Sequence, residues 1–157
     1  TIGAQDYDEI SIKVLEVLLK RFPQYSYHVV LGFHDFGEKL TSFQKNKGVT
    51  FYKSLNASEM RDLMFICWLA VSAAGQTTYE LARCGVAMVL IQVADNQLGN
   101  IQGWSKKGLI QNGIKKDNLP TLIDEFQYQV DCSQESWPQT PGDGVRKIVT
   151  YLTNNYS

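Results

Sequence analysis

Between residues 69 and 97 two apolar runs, Leu69-Ala70-Val71 and Val86-Ala87-Met88-Val89-Leu90-Ile91-Gln92-Val93, flank a turn of small residues and a short helical stretch that bears one carboxylate, Glu80. A strand with one wet face alternates polar and apolar residues; these runs do not. Continuous apolar strands are buried on both faces, which is the habit of parallel sheets covered by helices. The helical stretch between them supplies the crossover that parallel neighbours need. The sequence therefore predicts an α/β fold: a parallel sheet with helices on both faces. Open sheets of this kind bind ligands beyond the carboxyl ends of their strands, where helix N-termini can hold phosphate.

The rest of the chain extends the pattern. Ile2 reads as the stub of a first strand, and Asp6 with Glu9 three positions on forms a capping-box pattern. Apolar residues at helical spacing follow from Ile10 to Phe22 and stop at Pro23. Strands are predicted over residues 25–31, 49–52, 68–71 and 86–93, with a short last one near Leu109-Ile110. A short polar helix with a loop is expected over residues 34–47, and Asn56-Ala57-Ser58-Glu59 repeats the capping box ahead of Met60, Leu63, Met64 and Cys67. Pro120 opens a helix through Phe126, a loop rich in Ser, Pro and Gly spans 133–144, and a final helix spans 145–152.

At 157 residues the chain is long enough for one good core and too short for two ordinary domains. A net charge of −1, with acids and bases interspersed, offers no basic field for nucleic acid. Three cysteines, Cys67, Cys84 and Cys132, without CxxC spacing predict reduced thiols and a cytoplasmic protein rather than a disulfide framework or a metal site. No apolar run approaches the roughly 20 residues that span a bilayer. The chain opens on Thr1-Ile2 with no initiator Met, and the expectation is a domain excised from a longer protein.

Polar groups cluster where the strands end. Ser72-Ala73-Ala74-Gly75 has no bulky side chain, and Thr77 and Thr78 stand where a helix begins, so amides, a hydroxyl and the helix dipole could hold a diphosphate. The same stretch also suits a tight turn that binds nothing. Glu80, about one turn into the helix, can accept two hydrogen bonds from a ribose diol or serve as a solvated helix-dipole acid. Asp95-Asn96-Gln97 suits sugar hydroxyls, and equally an Asx turn capping the next helix.

In combination these residues carry a resemblance. The set Ser72-Ala73-Ala74-Gly75-x-Thr77-Thr78-Tyr79-Glu80-Leu81, then Gly85-Val86, then Asp95-Asn96-Gln97 resembles the C-terminal half of GT-B nucleotide-sugar enzymes. It is most similar to the group of the pseudaminic-acid UDP-sugar hydrolase and the spore-coat polysaccharide glycosyltransferases, and more distantly to the lipid II-forming N-acetylglucosaminyltransferase. Gly3-Ala4-Gln5-Asp6 resembles the turn that opens this half in the same group, with Ala4 in place of its second glycine. Cys67-Trp68 stands for the usual Ala-Asp, and Ala87 for a common proline.

The resemblance implies a Rossmann-like donor-binding domain over residues 1–157 that takes UDP or a UDP-sugar without cofactor or metal. It implies that Ala74, Gly75, Thr77 and Thr78 face the diphosphate, with Gly3 lining it from the opposite turn. Glu80 would bind the ribose, Asn96 and Gln97 the donor sugar, and the backbone of Leu55 and Asn56 the base, with Met60 packing nearby. Catalytic residues are expected in an N-terminal GT-B domain, in cis or as a partner subunit in trans. His28 reads as a core or cross-sheet residue and His34 as either a phosphate-reaching or a solvated loop residue; neither is assigned to catalysis. Two other readings stand beside this: a non-catalytic subunit of a split glycosyltransferase, and a flavodoxin-like interaction module that binds no nucleotide.

Overall fold

The apolar spacing from Ile10 forms α1 (Ile10–Arg21), which turns Ile10, Val14 and Leu18 to the core. The computed structural model describes residues 10–31, 43 and 46–132. The Ile2 stub, the Gly3 turn, the Asp6 cap, His34 and most of the 34–47 stretch, the 133–144 loop and the helix expected after it lie outside those residues. Tyr27 closes α1: its hydroxyl donates to the carbonyls of Phe22 at 2.7 Å and Leu18 at 3.2 Å. Burial pushes the pKa of that phenol up to about 12.

Two short strands follow, β1 (Tyr27–Val30) and β2 (Val49–Tyr52), paired in parallel with Tyr27 opposite Val49. Next, α2 (Ala57–Ile66) begins at the expected capping box. The Asn56 side chain accepts from the amides of Ser58 and Glu59 at 2.9 and 3.0 Å, while Glu59 accepts from the Asn56 amide at 2.8 Å. Three strands make a second parallel set in the order β3-β4-β5: β3 (Leu69–Ala73), β4 (Ala87–Gln92) and β5 (Ile114–Lys115). Between them run α3 (Thr77–Cys84) and α4 (Leu98–Lys106), and α5 (Leu122–Cys132) follows β5. The described residues thus form a Rossmann-like α/β fold with parallel strands flanked by helices.

β4 shows why its sequence does not alternate. Val89 and Ile91 join α1, α5 and Ile114 on one face, and Met88 and Leu90 join α2, α3 and α4 on the other. Successive side chains of a strand point to opposite faces, so both faces here are dry. Gly85, at φ 73°, ends α3: its amide and that of Val86 reach back to Ala82 and Leu81.

One expectation changes. Leu109-Ile110 is not a strand, and the last strand among the described residues lies at Ile114–Lys115. Gly108 adopts φ 70° and ends α4, with the Leu109 amide bonded to the Trp104 carbonyl at 3.1 Å. Leu109 and Ile110 are apolar because this C-terminal cap presses them onto the α4 side of the core. Among the described residues β1 and β3 are not hydrogen-bonded to each other, and an apolar cavity of about 170 Å³ lies between them.

Among the described residues one acid is buried. Glu125 is 7% exposed, and its Oε2 accepts from the Asn112 amide at 3.3 Å. Burial pushes its pKa up, partly opposed by that hydrogen bond. A raised folded-state value means that folding favours the protonated acid, so its contribution to stability is full below the ordinary glutamate range, near about 4.3. That contribution is lost as pH rises through the raised value. Urea midpoints measured across this window should fall with rising pH, and the decline should be smaller in Glu125→Gln, whose amide oxygen can still accept from Asn112.

Candidate functional site

The strand order points to a candidate site. Among the described residues the chain winds outward from the cavity through β1 and β2 on one side and through β3, β4 and β5 on the other. Such a reversal opens a crevice at the carboxyl ends of the strands. The loop that leaves β3 beside it is the Ala74–Thr77 turn. Ser72 and Ala73, expected in that turn, are instead buried at the end of β3, and the Ala74 amide continues the ladder to the Ile91 carbonyl at 3.1 Å.

The turn is held from within. Thr78 is fully buried, and its hydroxyl donates to the Gly75 carbonyl at 2.8 Å. Of the residues implied for the diphosphate, the side chains of Ala74 and Thr78 therefore face inward and shape the loop. Gly75 and Thr77 are half-buried, and a side chain at Gly75 would meet no atom within 4 Å. The amides of Gly75, Gln76 and Thr77 have no protein acceptor among the described residues, and Gln76 caps α3 without a side-chain bond. Three free N–H groups at the positive end of a helix dipole suit an anion. Glu80 follows in the first turn, exposed and with no ion-pair partner among the described residues.

The loop after β4 forms the neighbouring wall. Asp95–Gln97 is a single 3-10 turn, and Gln97 Oε1 accepts from the Val93 amide at 2.9 Å, leaving its NH2 group available. Asn96 is exposed. Asn100, which the sequence reading did not single out, joins the two loops. Its Nδ2 donates to the Ala74 carbonyl at 2.9 Å, and its Oδ1 accepts from the Tyr79 hydroxyl at 2.9 Å. Tyr79 in turn lies 5.2 Å from the Trp104 ring, which packs on the core. One signal was present: Asn100 sits one turn beyond Gln97, beside the apolar positions Ile101 and Trp104.

The remaining residues are placed less closely. Asn56 spends its side chain on the α2 cap, and Leu55, just ahead of it, is half-buried with a backbone that makes no hydrogen bond among the described residues. Met60 packs against the core. Gly3 lies outside the described residues. His28 was expected as a core or cross-sheet residue; it is exposed on β1 rather than in the core, and pairs across the sheet with the Tyr52 hydroxyl at 2.9 Å. Among the described residues no group of three or more His, Cys, Asp or Glu is placed to hold a metal. No helix among them is long and apolar enough to cross a membrane.

Comparison with known proteins gives a partial match. Over 91 residues, 58% of this chain, the sequence is 32% identical to a Helicobacter pylori protein. That protein is described as pseudaminic acid cytidylyltransferase and UDP-2,4-diacetamido-2,4,6-trideoxy-beta-L-altropyranose hydrolase. The match spans 17% of the length of that relative. No family model matches the chain, and no solved structure matches it significantly.

Proposed function

We propose that this chain binds the UDP part of a UDP-sugar, as the C-terminal half of a GT-B transferase or hydrolase of surface-polysaccharide or nonulosonic-acid synthesis. The observation that carries the reading is the row of free amides at Gly75, Gln76 and Thr77, beside the crevice where the strand order reverses. The likeness to a relative whose description names a UDP-sugar hydrolase supports it. In this reading the amides hold the diphosphate, Glu80 takes the ribose hydroxyls, and Asn96 with the free NH2 of Gln97 meets the sugar. Leu55 and Asn56 offer backbone to the base, and Gly3 approaches from the opposite turn.

The contribution to catalysis is electrostatic. Charge that develops on the departing diphosphate during cleavage at the anomeric carbon meets fixed N–H dipoles that need no reorganisation. The groups that activate the attacking water or acceptor belong to an N-terminal domain, in cis or on a partner subunit. Calorimetric titration with UDP, GDP, dTDP and CMP tests the reading, with NMR shifts mapped at Gly75, Thr77 and Glu80. UDP is expected to saturate. Glu80→Ala should weaken it by about 1 to 3 kcal/mol, the usual cost of losing hydrogen bonds to a charged group. Absence of saturable binding by all four nucleotides would overturn the reading.

A further inference from the structure

We infer that Asn100 is a positioning residue for the diphosphate: it aims the Gly75 amide outward by holding the other end of the same peptide. The inference rests on the donor-site reading above. A trans peptide is planar, with its C=O and N–H pointing in opposite directions, so a group that fixes the carbonyl also fixes the amide. The Gly75 N–H shares its peptide with the Ala74 carbonyl, which accepts from Asn100 Nδ2 at 2.9 Å.

The next two amides are aimed from within the turn. The Gly75 carbonyl, in one peptide with the Gln76 N–H, accepts from the Thr78 hydroxyl at 2.8 Å and from the Thr78 amide at 3.3 Å. The Gln76 carbonyl, in one peptide with the Thr77 N–H, accepts from the Tyr79 amide at 3.0 Å. For the Ala74–Gly75 peptide the hold comes instead from another element, α4, 26 residues further along the chain.

The surroundings make that hold necessary. Ala74 is fully buried, so its carbonyl has no water to turn to in place and losing the bond would leave it unsatisfied. Gly75 has no side chain to resist rotation of the peptide, and no atom lies within 4 Å of where its Cβ would stand. Without Asn100 the peptide can swing its carbonyl toward the crevice, which turns the Gly75 N–H away from the ligand. Asn100 is steadied in turn. Its Oδ1 accepts from the Tyr79 hydroxyl at 2.9 Å, and the Tyr79 ring lies 5.2 Å from that of Trp104. A reversed side-chain amide would set oxygen against oxygen at Ala74.

The test compares Asn100→Leu with the unaltered chain. In the ligand-free protein the residual dipolar coupling of the Gly75 N–H should change, while those of the β4 amides hold. UDP should bind the variant about tenfold or more weakly, the loss of an aimed hydrogen bond to a charged oxygen. Uridine, which carries no phosphate, should bind both chains alike when followed by NMR shifts. Tyr79→Phe removes only the outer bond and should weaken UDP less than Asn100→Leu does. An unmoved Gly75 coupling, a smaller loss for UDP, an equal loss for uridine, or Tyr79→Phe matching Asn100→Leu overturns the inference. Couplings that change across β4 also overturn it, by making the loss one of fold. UDP that fails to bind the unaltered chain sinks the donor-site reading, and this inference with it, before any substitution is made.

Discussion

Leu90→Ala lowers the stability of the fold by about 3 to 5 kcal/mol, the upper range for a buried leucine that leaves a cavity. Leu90 is wholly inaccessible at the centre of β4, with Met88 on its own strand and Leu81, Ile101 and Trp104 in the same cluster from α3 and α4. Few of these neighbours can close the hole. β4 is hydrogen-bonded on both sides, and each helix is tied by its own cap. Equilibrium urea unfolding reads the loss directly. Leu98→Ala is the matched control: Leu98 is 47% exposed, and its truncation should move stability by no more than about 0.5 kcal/mol. Similar effects at the two positions would contradict the assignment of β4 as the doubly covered strand.

Gly113→Val should cost about 3 kcal/mol, the upper end for overpacking a filled site. A Cβ at Gly113 would stand 2.6 Å from Cγ2 and 2.7 Å from Cδ1 of Ile101. Ile101 is 8% exposed on α4, so it cannot swing aside without disturbing the cluster around Trp104. The backbone at Gly113 is not left-handed, so the effect is steric. A double-mutant cycle separates the two causes. With Ile101→Ala already present, Gly113→Val should become cheaper by about 1 to 2 kcal/mol, whereas backbone strain would leave its cost unchanged.

Legibility in the sequence followed the reach of the interactions. β4 and the α2 cap were readable because their causes are local: a run of residues buried on both faces, and Asn56 with Glu59 three positions on. The last strand was misplaced because Leu109 and Ile110 carry the apolar signal of a strand while serving a helix cap that Gly108 makes possible. Asn100 escaped notice because its two partners, Ala74 and Tyr79, lie 26 and 21 residues away and meet it only after β3 and β4 pair. In the β3–α3 turn, composition identified the loop but could not say which groups face out. Burial turned Thr78 inward and left the amides of Gly75, Gln76 and Thr77 as the outward chemistry.

The Asn100 bridge bears on how this scaffold can be re-engineered. Because a single amide grips the Ala74 carbonyl and receives the Tyr79 hydroxyl, the loops after β3 and β4 share one anchor. Transplanting either loop alone from a homologue would import a partner that the resident loop does not match. A library that aims to change ligand preference should exchange residues 74–79 and 95–100 as one cassette, or hold Asn100, Tyr79 and the small residue at 74 constant while varying the rest.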